Sequence, residues 1–244
     1  DVERSRGLGD VYKRQNMTSY IFVLMVGLLA GAISGVIGTG SSIMLLPVLV
    51  YTFGPKQAVP IMAVAAVMAN LARVMAWWKL VDWRAFAAYA ITGMPAAAIG
   101  ARTLLALPAH LIDICLGIFF IVMVPTRHWL MARNFRIKLW QLSIIGAVIG
   151  FLTGVVLSTG PLSVPAFTSY GLIKGAFLST EAASSLVLYI AKVITFREFG
   201  AMPLEIFIKG LLVGASLMAG TFAGKIVVLK LSNQAFQHIL DGLL

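Results

Sequence analysis

The chain has 244 residues, 60% of them hydrophobic and 11% charged, with a formal net charge of +10 and a mean hydropathy of +0.95. That composition excludes a soluble domain, and apolar runs of about 20 residues, the length that crosses a bilayer, recur along it. One cysteine, Cys115, excludes an intramolecular disulfide and a multi-cysteine metal site, and the Lys and Arg excess reads as loop charge, since no basic run with interleaved aromatics points to nucleic acid.

Residues 1–16 are polar and fit no signal-peptide pattern. Asp10 to Gln15 can be written GAT GTG TAT AAG AGA CAG, similar to a transposon-adapter end used in library sequencing. A non-native, disordered and dispensable leader is therefore expected over 1–16, with the natural start at Met17.

A first transmembrane repeat is expected over 17–125. Its first span, Tyr20 to Val36, places Gly27, Gly31 and Gly35 four apart, a helix face that another helix can approach closely. Gly38, Thr39, Gly40, Ser41 and Ser42 then predict a break, because glycine weakens a helix and permits left-handed backbone. A short apolar piece follows to Phe53 and ends at Gly54-Pro55. The second span is Val59 to Trp78, the third Ala85 to about Leu105 after Asp82-Trp83-Arg84, and the fourth about Ala109 to Val124. Trp77, Trp78, Trp83, Trp129 and Trp140 read as interfacial anchors.

The basic loop 126–138 carries Arg127, Arg133, Arg136 and Lys138 with no acid, and the positive-inside rule places it in the cytoplasm. A second repeat is expected over 139–244. It holds a fifth span from Leu139 to Leu157, a break at Ser158, Thr159, Gly160 and Pro161, and a short piece to Leu172. A sixth span covers Ala182 to Phe196 and a seventh Leu204 to Phe222, while an eighth opens near Ala235 and is cut short at Leu244. Eight spans put both termini in the cytoplasm, with Lys225 and Lys230 on the opposite side.

The two halves match in order. Gly27, Gly31 and Gly35 correspond to Gly146, Gly150 and Gly154, and Thr39-Gly40 to Thr159-Gly160 after a one-residue shift. Ala72-Arg73-Val74 corresponds to Ala191-Lys192-Val193, and Gly100 through Leu107 to Gly117 corresponds to Gly224 through Leu231 to Gly242. Matching broken spans are a signature of secondary transporters, whose site lies where the breaks meet. The expected fold is thus an all-α polytopic membrane protein of two repeats, each of about four transmembrane helices with a broken first helix, giving 7–8 spans. Four spans per repeat give parallel repeats; re-entry or full crossing by the broken pieces changes that count and allows inverted ones.

The segments GLLAGAISGVIGTGSS…LPVLV (27–50), VDWR (81–84) with Gly93 to Arg102, and TGPLSVPAF (159–167) resemble the TauE/SafE-type sulfite exporters, over essentially residues 20–244. The family has a glycine-richer first break, of the GxGGG kind, where Ser41 and Ser42 stand here. The resemblance implies a secondary transporter that exports a small sulfur-containing or organic anion across a bacterial cytoplasmic membrane. It implies no cofactor and no enzymatic activity.

The residues support such a site independently. A helix start offers unpaired N–H groups and a positive dipole end to an anion. Gly38, Thr39, Gly40, Ser41, Ser42, Ser158, Thr159, Gly160 and Pro161 are candidate binding residues on that ground, because broken backbone at membrane depth must be satisfied by protein or a cavity. The outer glycines read as packing positions. Arg73 and Lys192, at matched positions inside spans, are candidate anion partners with Asn70 as a polar neighbour; the alternative is snorkelling to the headgroups. Glu181, at the start of the sixth span, reads as a first-turn acid or a proton-coupling carboxylate. No P-loop, HExxH or GxSxG is present. An anion channel and a non-transporting membrane partner subunit remain the alternatives. The expected partners are a small anion and the lipid bilayer, without nucleic acid; oligomeric state is unassigned.

Overall fold

The computed structural model describes residues 2–108, 118, 121–122, 136–156, 159–236 and 238, and among these the side chains from residue 18 onward except 55 and 56. All of the extended secondary structure in them is helical. In chain order it comprises α1 (Val2–Ile37), α2 (Ser41–Phe53), α3 (Pro55–Trp77), a 3-10 turn (Trp78–Leu80), α4 (Trp83–Ala106), α5 (Leu139–Val155), α6 (Gly160–Tyr170), α7 (Lys174–Glu198) and α8 (Leu204–Lys230). Thr18–Ile37, Gln57–Leu80, Lys174–Glu198 and Leu204–Lys230 are long and apolar enough to cross a membrane, and α2 and α5 are shorter apolar helices. Most of the expected fourth and eighth spans, much of the basic loop, and Ser158 lie outside the described residues.

Local chemistry explains several boundaries. Pro55 opens α3 behind Gly54, whose φ of 78° suits glycine, and proline in a first turn gives up no needed N–H. Asp82 caps α4, its carboxylate accepting the N–H groups of Arg84 and Ala85 at 3.0 Å each. Glu205 and Lys230 stand at the favourable ends of the α8 dipole. The backbone of α1 is helical from Val2. One expectation changes. The sixth span begins at Lys174 rather than Ala182, which puts Glu181 two turns inside α7 and removes its reading as a first-turn acid.

The glycines fix which helices touch and which way they run. A β-carbon on Gly27, Gly31 or Gly35 would strike Ser216, Leu217 or Thr221 in turn, so α1 and α8 pack backbone to backbone and parallel. Gly146, Gly150 and Gly154 meet Tyr89, Gly93 and Ala97 in the same ascending order, making α4 and α5 parallel. The likeness extends further: Gly100 abuts Phe151 and Gly154, and Gly224 abuts Ala32 and Gly35. Gly210 and Gly214 advance along Val64 and Met68, so α3 and α8 are parallel too. By contrast, α3 and α7 are antiparallel, with Trp77 against Gly175 and Arg73 against Glu181.

The short helices turn back. The Tyr20 and Phe53 rings lie 5.3 Å apart although only residues 38–40 join α1 to α2, so α2 folds along α1 toward its start. In the second half the Ile137 N–H donates to Ser169 O at 3.0 Å, returning α6 to the start of α5. At 13 residues α2 is about 20 Å long, short of the ~30 Å apolar layer.

These directions give the bundle two distinct ends. The Phe53 end gathers Tyr20, Phe53 and Lys209, with Arg102 over Phe199. The Trp77 end gathers the 3-10 turn, Gly175 and Lys225, with Lys174 Nζ donating to Leu231 O at 2.7 Å. The first half starts at the Phe53 end and the second at the Trp77 end. Lys225 and Lys230 therefore stand at the same end as Arg136 and Lys138, not opposite the basic loop as eight full crossings required. The start of the apolar part of α1 stands at the other end, so the expectation of both termini on the basic-loop side also falls.

Candidate functional site

Both breaks lie inside the bundle and meet. In the first, Gly38 and Gly40 take φ of 89° and 101°, left-handed backbone that L side chains resist, and Thr39 sits between them. In the second, α5 ends at Val155 and α6 begins at Gly160 behind Thr159. A β-carbon on Gly160 would collide with the Thr39 side chain, so the two breaks are in direct contact. Neither α2 nor α6 has a side-chain cap at its start. The first turn of α2 closes with Met44 N–H on Gly40 O at 3.1 Å, which leaves the N–H groups of Ser41, Ser42 and Ile43 ahead of the helical ladder.

The helix ends before the breaks present orphan carbonyls and the negative dipole end, and each half answers with its matched cation. Arg73 Nη1 donates to Gly38 O. Lys192 Nζ donates to Thr153 O at 2.9 Å and Val156 O at 2.8 Å, and stands 5.5 Å from the Phe196 ring centre. Both side chains are buried, with relative exposures of 5% and 1%, and bonded inward, so neither snorkels to a headgroup.

Beyond that shared role the two cations differ. Arg73 also pairs with Glu181 Oε2 at 2.9 Å and donates through Nη2 to Asn70 Oδ1, while Asn70 Nδ2 donates to Ala66 O at 2.8 Å. Glu181 Oε1 accepts the hydroxyls of Ser163 at 2.9 Å and Ser185 at 2.8 Å. Burying a pair of charges is costly, and although this pair is tied to three helices, Arg73 Nε is buried without a partner among the described residues. Thr153 and Thr159 share a hydroxyl–hydroxyl bond of 2.5 Å, linking the end of α5 to the second break.

A cavity with about 380 Å³ of empty space, part of it open to the outside, lies where these elements converge. The first break lines it with Gly38, Thr39, Gly40, Ser41 and Ser42, and the second with Thr159 and Gly160. Ala66, Ala69, Asn70 and Arg73 line it from α3, and Glu181, Ser185 and Tyr189 from α7. Gly40 has nothing within 4 Å of its β-carbon position, which is open space.

Of the sequence candidates, then, the structure gathers Gly38, Thr39, Gly40, Ser41, Ser42, Asn70, Arg73, Thr159, Gly160 and Glu181 at one cavity. Pro161 is buried in the first turn of α6 and Lys192 faces the end of α5; neither is on the cavity wall. Two cations converging on one ligand is therefore not the arrangement found. Sequence reasoning missed Ser185 and Tyr189. The repeat held the signal, because these occupy the positions in α7 that Ala66 and Asn70 occupy in α3.

Among the described residues no group of three His, Cys, Asp or Glu side chains could hold a metal. The cavity instead offers helix-start N–H groups, hydroxyls, an amide and one compensated ion pair, a set suited to binding a small polar solute. A family model described as Sulfite exporter TauE/SafE matches residues 23–244. No curated protein and no solved structure matches the chain.

Proposed function

The chain belongs to the TauE/SafE sulfite exporter family and is an integral membrane protein, and from that premise we propose that it is a multi-pass secondary transporter holding a small anion between its two breaks. One observation carries the reading: two uncapped helix starts, one from each half, adjoin a single cavity. The α2 start supplies the N–H groups of Ser41, Ser42 and Ile43, while the α6 start supplies that of Gly160 alone, since Pro161 has no N–H and Leu162 N–H donates to Thr159 O at 2.9 Å. Each charge-assisted hydrogen bond to the anion contributes roughly 1.5–3 kcal/mol before desolvation is subtracted.

In this reading α1–α4 and α5–α8 are inverted repeats. The matched glycine contacts and the opposed helix directions support it, as does the placement of the site at the antiparallel α3–α7 pair. The Trp77 end is cytoplasmic. Among the described residues from Met17 onward it carries Lys79, Arg84, Arg136, Lys138, Lys174, Lys225 and Lys230 against Asp82 alone, while the Phe53 end sets Lys56, Arg102, Arg197 and Lys209 against Glu198 and Glu205. The membrane is the bacterial cytoplasmic membrane, and the cargo a sulfur-containing or other small organic anion exported from the cell.

Purified protein in vesicles, offered labelled sulfite, thiosulfate and sulfonates, tests the function. Saturable flux of one of them is expected, and absence of flux for all would contradict the reading. Large unitary currents would instead make the protein a channel. For orientation, Lys138→Cys and Gln57→Cys in a Cys115→Ala background are exposed to an impermeant thiol reagent on intact cells. Labelling at 57 and not at 138 is expected; the converse would reverse the assignment.

A further inference from the structure

Glu181 stands out as a 2%-exposed carboxylate on a cavity wall in an otherwise apolar bundle. Its partners come from both halves: Arg73 of α3 on Oε2, and Ser163 of α6 and Ser185 of α7 on Oε1. Few other ionisable groups face it. Tyr89 reaches toward it from α4 and Tyr189 lies on its own helix. The sequence of α5 contains no ionisable side chain, α6 carries only Tyr170 at its far end, and the 3-10 turn carries the exposed Lys79. Asp82, at the head of α4, is already held by two backbone N–H groups. Among the described residues Arg73 is thus the one cation paired with this carboxylate, and also the one cation on the cavity wall.

We propose that anion and carboxylate compete for Arg73, and that Glu181 takes up one proton each time an anion enters. The inference rests on the anion site proposed above and adds its coupling. An anion that draws Arg73 Nη1 away from Oε2 leaves a buried carboxylate without its counter-charge, which a medium of low dielectric does not tolerate. The carboxylate then accepts a proton from hydronium reaching the cavity. An O–H bond forms on Oε2, water is released, and Ser163 and Ser185 go on donating to Oε1. The site is neutral before and after if the anion carries one charge: carboxylate with guanidinium, then anion with guanidinium and a neutral acid. Transport of a monovalent anion is then electroneutral, one proton accompanying each anion. Because binding takes up a proton, affinity tightens as pH falls, by about tenfold per unit while the free carboxylate stays ionised.

The test uses the full chain in vesicles loaded with a pH-sensitive dye, with methanesulfonate, sulfate and thiosulfate as probes because their charge is fixed over the working range. Wild type should acidify or alkalinise the lumen in step with anion movement, and the dissociation constant should fall about tenfold per unit of acidification. Glu181→Gln should bind the anion more tightly at neutral pH, lose the pH slope and carry the anion without protons. Anion movement without protons in wild type, or an unchanged slope in Glu181→Gln, overturns the coupling and leaves the anion site standing. If no probe binds or moves at any pH, the site itself fails and the coupling with it.

Discussion

The first and second breaks occupy matched places in their halves and both line the cavity, yet only the first brings its cation to the cavity wall. At both, a buried cation in the following long helix ties up the carbonyls at the end of the preceding one. At the first break that cation is an arginine, whose fork leaves a second face for Glu181 and Asn70. At the second it is a lysine, a point charge held by two carbonyls and absent from the cavity wall. Sequence symmetry thus preserves the structural duty of closing a broken helix, while the cation on the cavity wall comes from one side. The same asymmetry separates the glycines: Gly40 looks into open space and Gly160 into Thr39.

The largest effect that would break this comparison is expected at those glycines. Gly160→Leu forces Thr39 aside and with it the contact between the breaks, so both folding and transport should be lost, overpacking alone costing about 1–3 kcal/mol or more. Gly40→Leu places its side chain in the cavity. It should abolish anion binding while costing only the backbone strain, about 1–3 kcal/mol. Unfolding curves measured beside binding separate the two, and equal behaviour would erase the distinction. The arginine–lysine pair comes next. Lys192→Gln should destabilise by about 1–3 kcal/mol for each carbonyl left orphaned, with anion affinity kept in the folded fraction. Arg73→Gln should remove most of the affinity, since the cavity wall then loses its cation. Finally Thr39→Val and Thr159→Val should each weaken binding by about 0.5–1.5 kcal/mol, the net value of one hydrogen bond; titration of labelled anion reads this.

Much of this was written in the sequence. Glycines spaced by four revealed the packing faces of α1 and α5, and clustered glycines and hydroxyls located both breaks, because backbone requirements leave compositional marks. Arg73 and Asn70 were visible as polar groups where an apolar span should be. The path of α2 was not, since a short apolar helix reads alike whether it crosses or turns back, and the orientation expected from the basic loop inherited that ambiguity. Nor was the inward bond of Lys192, whose partners are backbone carbonyls that any residue supplies. Glu181 was misplaced to a helix start because α7 opens behind Ile173 with no side-chain cap to mark it. Ser185 and Tyr189 were reachable only by carrying the repeat from α3 onto α7.

Thermal unfolding of the purified protein with a panel of small oxyanions, wild type beside Gly40→Leu, tests the central claim most directly. A ligand at a hundred times its dissociation constant stabilises the folded state by about 2.7 kcal/mol. One or more anions should raise the unfolding temperature of wild type and leave Gly40→Leu unmoved. An equal rise in both proteins would place the anion somewhere other than the meeting of the two breaks.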